Sequence, residues 1–291
     1  MVWRRCLLIF SVFMACSTGF AEMHFVYHGP ESEHDSRYRY HWEILKTALD
    51  LTTKKYGPFT LTVSEFMSEA QQLAEMKKNS PKLTVMIRET NLHYEKFLIP
   101  VRIPIDKNLI GYRILLIEKK DQPQLAKVKT LEDLRKFTVG QGEDWGDIEI
   151  LEHSGFKVKT EYHYDDLFKS LSEGKFKIFP RGVVEILDEY RKFKGRYPNL
   201  AIESTLLLYY PLPTYFWFQD NKNGRLMAER VEEGMKLLIE SGGYQKIFDK
   251  HYAKVIRELN LDHRTIISIP NPNLPITVPF DKKELWYNPP E

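Results

Sequence analysis

Hydrophobic positions recur along this chain in two alternating rhythms. "MHFVYH" alternates with the two-residue period of a strand, and from Arg37 to Tyr56 the residues Tyr38, Trp42, Leu45 and Leu49 recur at helical spacing. Gly57 and Pro58 stop that helix. "FTLTV" then sets Phe59, Leu61 and Val63 on one face, a helix is expected from Glu69 to Lys78, and "LTVMIRE" turns Leu83, Val85 and Ile87 inward. This β-α-β-α-β order favours a parallel sheet with helices on its faces.

"LIGYRILLIEKKDQ" is a strongly apolar strand that opens a second block. Thr130 caps a helix over "LEDLRKF", with Asp133 in the box position. "FTVG", "FKVKTEY" and "KFKIF" read as strands; Trp145 to His153, "DDLFKSLSEG" and "VVEILDEYRKF" read as helices. The block closes in two extended runs split by Pro211 and Pro213. Helices resume from Asn223 to Ile239 and over "GGYQKIFDKHYAKVIREL". The proline-rich tail from Arg264 reads as irregular, yet Ile266, Ile267, Leu274, Leu285 and Trp286 argue that it packs on the body.

The pattern therefore predicts two α/β lobes, each a mainly parallel sheet flanked by helices, with two crossover strands as the hinge. Residues 22–113 and 214–263 make lobe one, 114–213 lobe two, and 264–291 the tail. In such a layout a ligand sits in the cleft at the carboxyl ends of the strands.

The amino-terminal stretch changes where this happens. Arg4 and Arg5 precede an apolar run from Cys6 to Cys16 and small residues up to Ala21, the build of a signal peptide over 1–21 with a cut after Ala21. An uncleaved anchor and a lipid attachment at Cys16 are the alternatives; Phe13, Met14 and Ala15 make a poor lipid-attachment box. Both cysteines lie in that segment, so the mature chain has no disulfide and no thiolate site. Without Arg4 and Arg5 the 42 basic residues become 40, equal to the 40 acidic ones, which gives no reason to expect a nucleic-acid partner.

Gly140, Gly142 and Gly146 are spaced GxGxxxG, which misses the dinucleotide pattern, and no GKS or GKT follows. Their strand, glycine turn and helix would instead meet the anionic end of an exported protein's ligand. Nine histidines show no HExxH spacing and no GxSxG occurs, so no metal, no cofactor and no catalytic residue is expected.

The signal, "LIGYRILLI", "VKTLEDLRKFTVGQG", "YDDLFKSLSEGKFKIFPRG" and "GMKLLIESGGYQKIFDKHY", in this order, resemble the bacterial extracellular solute-binding proteins of family 3, in a divergent branch. The resemblance runs from His24 to Leu261 and implies the type II periplasmic binding protein fold. It also implies a periplasmic monomer that captures a small solute, with a membrane permease of ABC type or a sensor as partner. The family holds an amino acid's carboxylate with an Arg three residues after a Thr; here Thr90 is followed three on by His93. It holds the ammonium with an Asp eight residues after the Gly that opens the "GKF" strand, and from Gly174 that count lands on Gly182, beside Arg181.

An ordinary α-amino acid is therefore not the expected ligand, and a polar, anionic solute is. Arg88, Thr90, His93, Gln141, Gly142, Trp145, Arg181 and Tyr38 are the candidate contacts. Arg113 is as well suited to pairing with a hinge carboxylate as to touching ligand. Tyr27, Tyr210 and Tyr215 suit the core better than the cleft. The alternative is a periplasmic enzyme of dehydratase or lyase type, for which Glu89, Glu143, Asp144 and Asp147 are the only nearby acid–base candidates.

Overall fold

The computed structural model describes residues 22–30 and 37–288, so the expected signal segment, 1–21, lies outside the described residues. Twelve strands among them form two sheets. The first sheet contains β1 (Met23–Tyr27), β2 (Phe59–Val63), β3 (Val85–Glu89) and β4 (Leu98–Val101). The second contains β5 (Tyr112–Glu118), β6 (Val139–Gly142), β7 (Val158–Glu161), β8 (Ile178–Gly182), β9 (Leu200–Ile202) and β10 (Leu206–Tyr209). The chain then returns to the first sheet as β11 (Thr214–Gln219) and rejoins the second as β12 (Thr265–Ser268).

Strand order is β2-β1-β3-β11-β4 in one lobe and β12-β10-β5-β8-β6-β7 in the other, with β9 beside β5. Pairing is parallel except along β11 and β5, which run against every neighbour. These two reversed strands are the ones by which the chain enters a new lobe, so the topology puts the hinge next to the middle of each sheet.

Helices α1 (Arg39–Tyr56) and α2 (Glu69–Lys77) accompany the first sheet. Ser68 caps α2 in the reciprocal box with Gln71. The second lobe carries α3 (Gln122–Leu125), α4 (Leu131–Leu134), α5 (Asp147–His153), α6 (Tyr164–Ser172) and α7 (Ile186–Phe193). Last come α8 (Lys222–Glu240) and α9 (Gly243–Leu259), which pack on α1. The fully buried Arg230 of α8 fixes that packing by donating to the carbonyl of Leu49 within α1 and to that of Gly57 just past its end.

β5 is buried along its whole length, and its two faces serve two cores. Leu115 and Ile117 join Val139, Ile178, Leu206 and Ile267, whereas Ile114 and Leu116 join Phe168, Phe179 and the large cluster that continues into the first lobe. Beside it the two crossovers are bonded to each other. Asp106 accepts from the N–H groups of Asn108 and Ile110, Asn108 Oδ1 accepts from Leu212 N at 2.7 Å, and Tyr210 N donates to the Gly111 carbonyl.

Three details depart from expectation. The strands placed at "FTVG" and "KFKIF" lie farther along, at Val139–Gly142 and Ile178–Gly182, so Arg181 sits inside β8 and not after it. The helix expected from Trp145 begins at Asp147. The tail is not irregular throughout: Thr265–Ser268 forms β12, parallel to β10, because the free edge of β10 offers ladder partners from Leu206 to Tyr209. Beyond it, Asn273 touches both lobes, its carbonyl accepting from Leu92 N and its amide donating to Glu149. Thr277 then bonds Glu95 of the first lobe.

Candidate functional site

The ends of β3 and β8 and the turn after β6 face each other across the interlobe cleft. Between them is a cavity of about 90 Å³, with walls from Arg37, Tyr38, His41, Glu69, Arg88 and Glu89 on one lobe and Trp145, Asp147, Arg181, Val184 and Glu185 on the other. By the space one water centre needs, it has room for roughly six to nine water-sized groups, the scale of a small organic solute.

The charges in this cavity are mostly matched by the protein itself. Arg181 is 1% exposed and forms a two-pronged pair with Glu189 at 2.7 Å, with Glu185 at 3.1 Å on one side. Arg113 lies 3.1 Å from Asp147 and 3.4 Å from Glu185. Arg88 donates to its neighbour's carbonyl and to Gln72, and faces Glu69 at 3.4 Å. The guanidinium groups that suggested an anion site are thus held by carboxylates.

The turn after β6 behaves likewise. Asp147, buried in the first turn of α5, receives Gln141 Nε2, the Tyr210 hydroxyl and Arg113. The chain's own carboxylate therefore occupies the helix start that was expected to receive a ligand's.

Among the cavity's carboxylates, Glu89 is the exception. Its Oε1 is buried without a hydrogen-bond partner at the cavity wall. Burial pushes its carboxyl above the ordinary range and Asp147 adds to that, while Arg88 and Arg113 pull the other way. Nearby, burial lowers the His41 imidazole to about 3, so this ring is neutral at the cavity wall. Among the acid–base candidates, Asp147 is fully engaged, and Glu143 and Asp144 line an outer recess with Phe66, Gly142 and Tyr162.

Of the residues singled out in the sequence, Tyr38, Arg88, Trp145 and Arg181 line the cavity, and Gly142 lines the outer recess. Gln141 is buried beneath, bonded to Asp147. Thr90 is buried at the crossover, where its N–H donates to Pro213, and His93 is on the surface beside Lys77. Arg37, His41, Glu69, Val184 and Glu185 were not foreseen. One signal for the pairing was available: Arg181, Glu185 and Glu189 are spaced by four, which sets two carboxylates on one helical face behind one arginine.

No family model and no curated protein matches the chain. Solved structures do. An ancestral arginine-binding protein bound to arginine superposes with a TM-score of 0.57 at 15% identity, over 79% of this chain and 98% of that one. A histidine kinase sensor domain with similarity to periplasmic binding proteins gives 0.58 at 18% identity, over 78% and 95%. The arginine-, lysine-, histidine-binding protein ArtJ from Geobacillus stearothermophilus gives 0.55 at 15%, over 82% and 100%. The chain has the two-lobed fold of the periplasmic binding proteins.

Proposed function

We propose that this chain is an exported solute-binding protein that closes its lobes on a small polar solute and presents the closed form to a membrane permease or a sensor. The observation that carries the reading is the cavity between β3 and β8, walled by charged and polar side chains of both lobes. A solute bridging the two walls binds the closed form better than the open one, and that difference in affinity drives closure.

The solute's charge follows from what the walls leave unmatched. Arg88, Arg113 and Arg181 already face carboxylates, whereas Glu89 Oε1 faces no hydrogen-bond donor; Arg113 Nε and His41 Nδ1 on the same walls also lack a hydrogen-bond partner. A buried acceptor left unpaired is costly, so a solute that donates a hydrogen bond to Glu89 gains most. This favours a neutral, zwitterionic or cationic solute over the anion that the arginines suggest when read alone. No helix among the described residues is long and apolar enough to cross a membrane.

The test is a thermal-shift screen of the chain from residue 22 against amino acids, amines, sugars and dicarboxylates. Binding to the native state raises the melting temperature by mass action. A shift confined to donor-bearing solutes, lost in Glu89→Gln, is expected. A shift with dicarboxylates alone would restore the anionic solute, and no shift with any class would overturn the solute-binding reading.

A further inference from the structure

Arg37 stands just ahead of α1 on the first lobe, and its guanidinium is surrounded by aromatic rings. Its central carbon lies 5.3 Å from the ring centroid of Tyr38, 5.5 Å from Trp145 and 4.8 Å from Tyr164. All three distances fall within the range at which a cation is attracted to a ring face. Tyr38 belongs to the same lobe, but Trp145 and Tyr164 belong to the other. The cage is therefore complete only while the lobes are together.

The carboxylates around it have the sign a cation needs. Glu185, Asp188 and Glu189 line the small space beside Arg37, together with Lys192. The same side chain, with Val184, is common to the walls of two cavities. It walls the central cavity and, on its other flank, a cavity of about 200 Å³ bounded by Tyr40, Leu187, Asp188, His251 and Tyr252.

We propose that Arg37 is an internal latch and a size filter: a guanidinium from lobe one fills a cation cage on lobe two, holds the cleft shut and confines the solute to the central cavity. The size filter rests on the solute-binding reading; the latch does not. Removing the side chain would free the cage for an external guanidinium and join the central cavity to its neighbour. A solute several atoms longer would then fit.

The experiment compares the wild type with Arg37→Ala by small-angle X-ray scattering, with methylguanidinium chloride or sodium chloride at equal ionic strength. The expected result is a larger radius of gyration for the variant, returned to the wild-type value by methylguanidinium and not by sodium. An unchanged radius, or one that methylguanidinium fails to restore, overturns the latch. Trp145→Leu removes a wall of the cage from the other lobe and is expected to open the protein too, so the test survives if Arg37→Ala does not fold. A folded Trp145→Leu of unchanged radius overturns the latch. Solute binding is scored separately: opening in the variant beside a wild type that shifts with no solute keeps the latch and sinks the solute reading. For the filter, the thermal-shift ranking of Arg37→Ala is expected to move to longer homologues of the wild-type solute, and an unchanged ranking overturns it.

Discussion

Glu89 and Gly146 meet across the cleft so closely that a Cβ built on Gly146 would stand 1.9 Å from Glu89 Oε1. The unmatched carboxylate of one lobe is thus seated against bare backbone of the other, and only glycine leaves it that place.

Gly146→Ala therefore acts on the carboxylate and spares the fold. The obstructed atoms are the end of a flexible side chain, which can swing away at small cost. We expect the melting temperature to stay within a few degrees and the affinity for a donor-bearing solute to fall roughly tenfold or more, the loss of about one good hydrogen bond. Calorimetric titration decides it; wild-type affinity in the variant would remove Glu89 from the site.

Gly111→Ala is expected to do the reverse. A Cβ there would lie 2.4 Å from the Tyr210 carbonyl and 2.9 Å from the Asn108 amide nitrogen, both in the bonded crossovers. Backbone on the opposing strand cannot swing aside, so overpacking of about 1–3 kcal/mol should appear in urea unfolding. A variant as stable as wild type would show that the crossovers slide freely on each other.

Arg181→Ala should be read as a stability variant before it is read as a binding variant. Removing the arginine leaves Glu189 buried, 2% exposed, without its cation, and leaves Glu185, 8% exposed, with Arg113 alone. Breaking such a pair costs about 3–5 kcal/mol, whereas removing both charges is far milder. Urea unfolding should thus rank wild type first, the double variant Arg181→Met with Glu189→Leu near it, and Arg181→Ala well below. Equal stability of the single variant and wild type would contradict the pairing.

Asp106 sets a pH dependence. Burial pushes its carboxyl up to about 6 from 3.8, against the N–H groups of Ile110 and Asn108 and the Thr214 hydroxyl, which pull it down. The folded chain then holds the proton more tightly than the unfolded chain. Its contribution is complete below about pH 3.8 and is lost as pH rises through 6, with a slope of up to about 1.4 kcal/mol per unit. Asp106→Asn removes this slope. The melting temperature of the variant, minus that of wild type, should increase between pH 4 and pH 7; a flat difference would mean that Asp106 ionises freely.

Much of this architecture was legible because helices and half-buried strands leave a period in the sequence, as in α1, α8 and β1. β8 leaves none. It is buried throughout, so its limits are set by partners, Ile178 against both Ile117 and Val139, and not by alternation. It even carries Pro180, a residue that argues against a central strand. Pro180 is tolerated because β6 pairs with β8 only at Ile178, two residues earlier. β4 and β12 hid for the opposite reason: each is a four-residue edge strand, one with a proline and one mostly exposed. The cavity was half legible. Tyr38, Arg88, Trp145 and Arg181 follow from strand ends and the helix start, but the matching of Arg88 and Arg113 depends on Glu69 and Asp147, carboxylates brought in by distant elements.

The return of the chain to the second lobe as β12 bears on how the molecule comes into being. Lobe one lacks its fourth partner until β11 has been made, and lobe two lacks its edge until Thr265–Ser268 has followed α9. Neither half can be finished before the other has begun. The last strand of each sheet is supplied only after chain of the other lobe has been made, so the two halves are completed together instead of in succession.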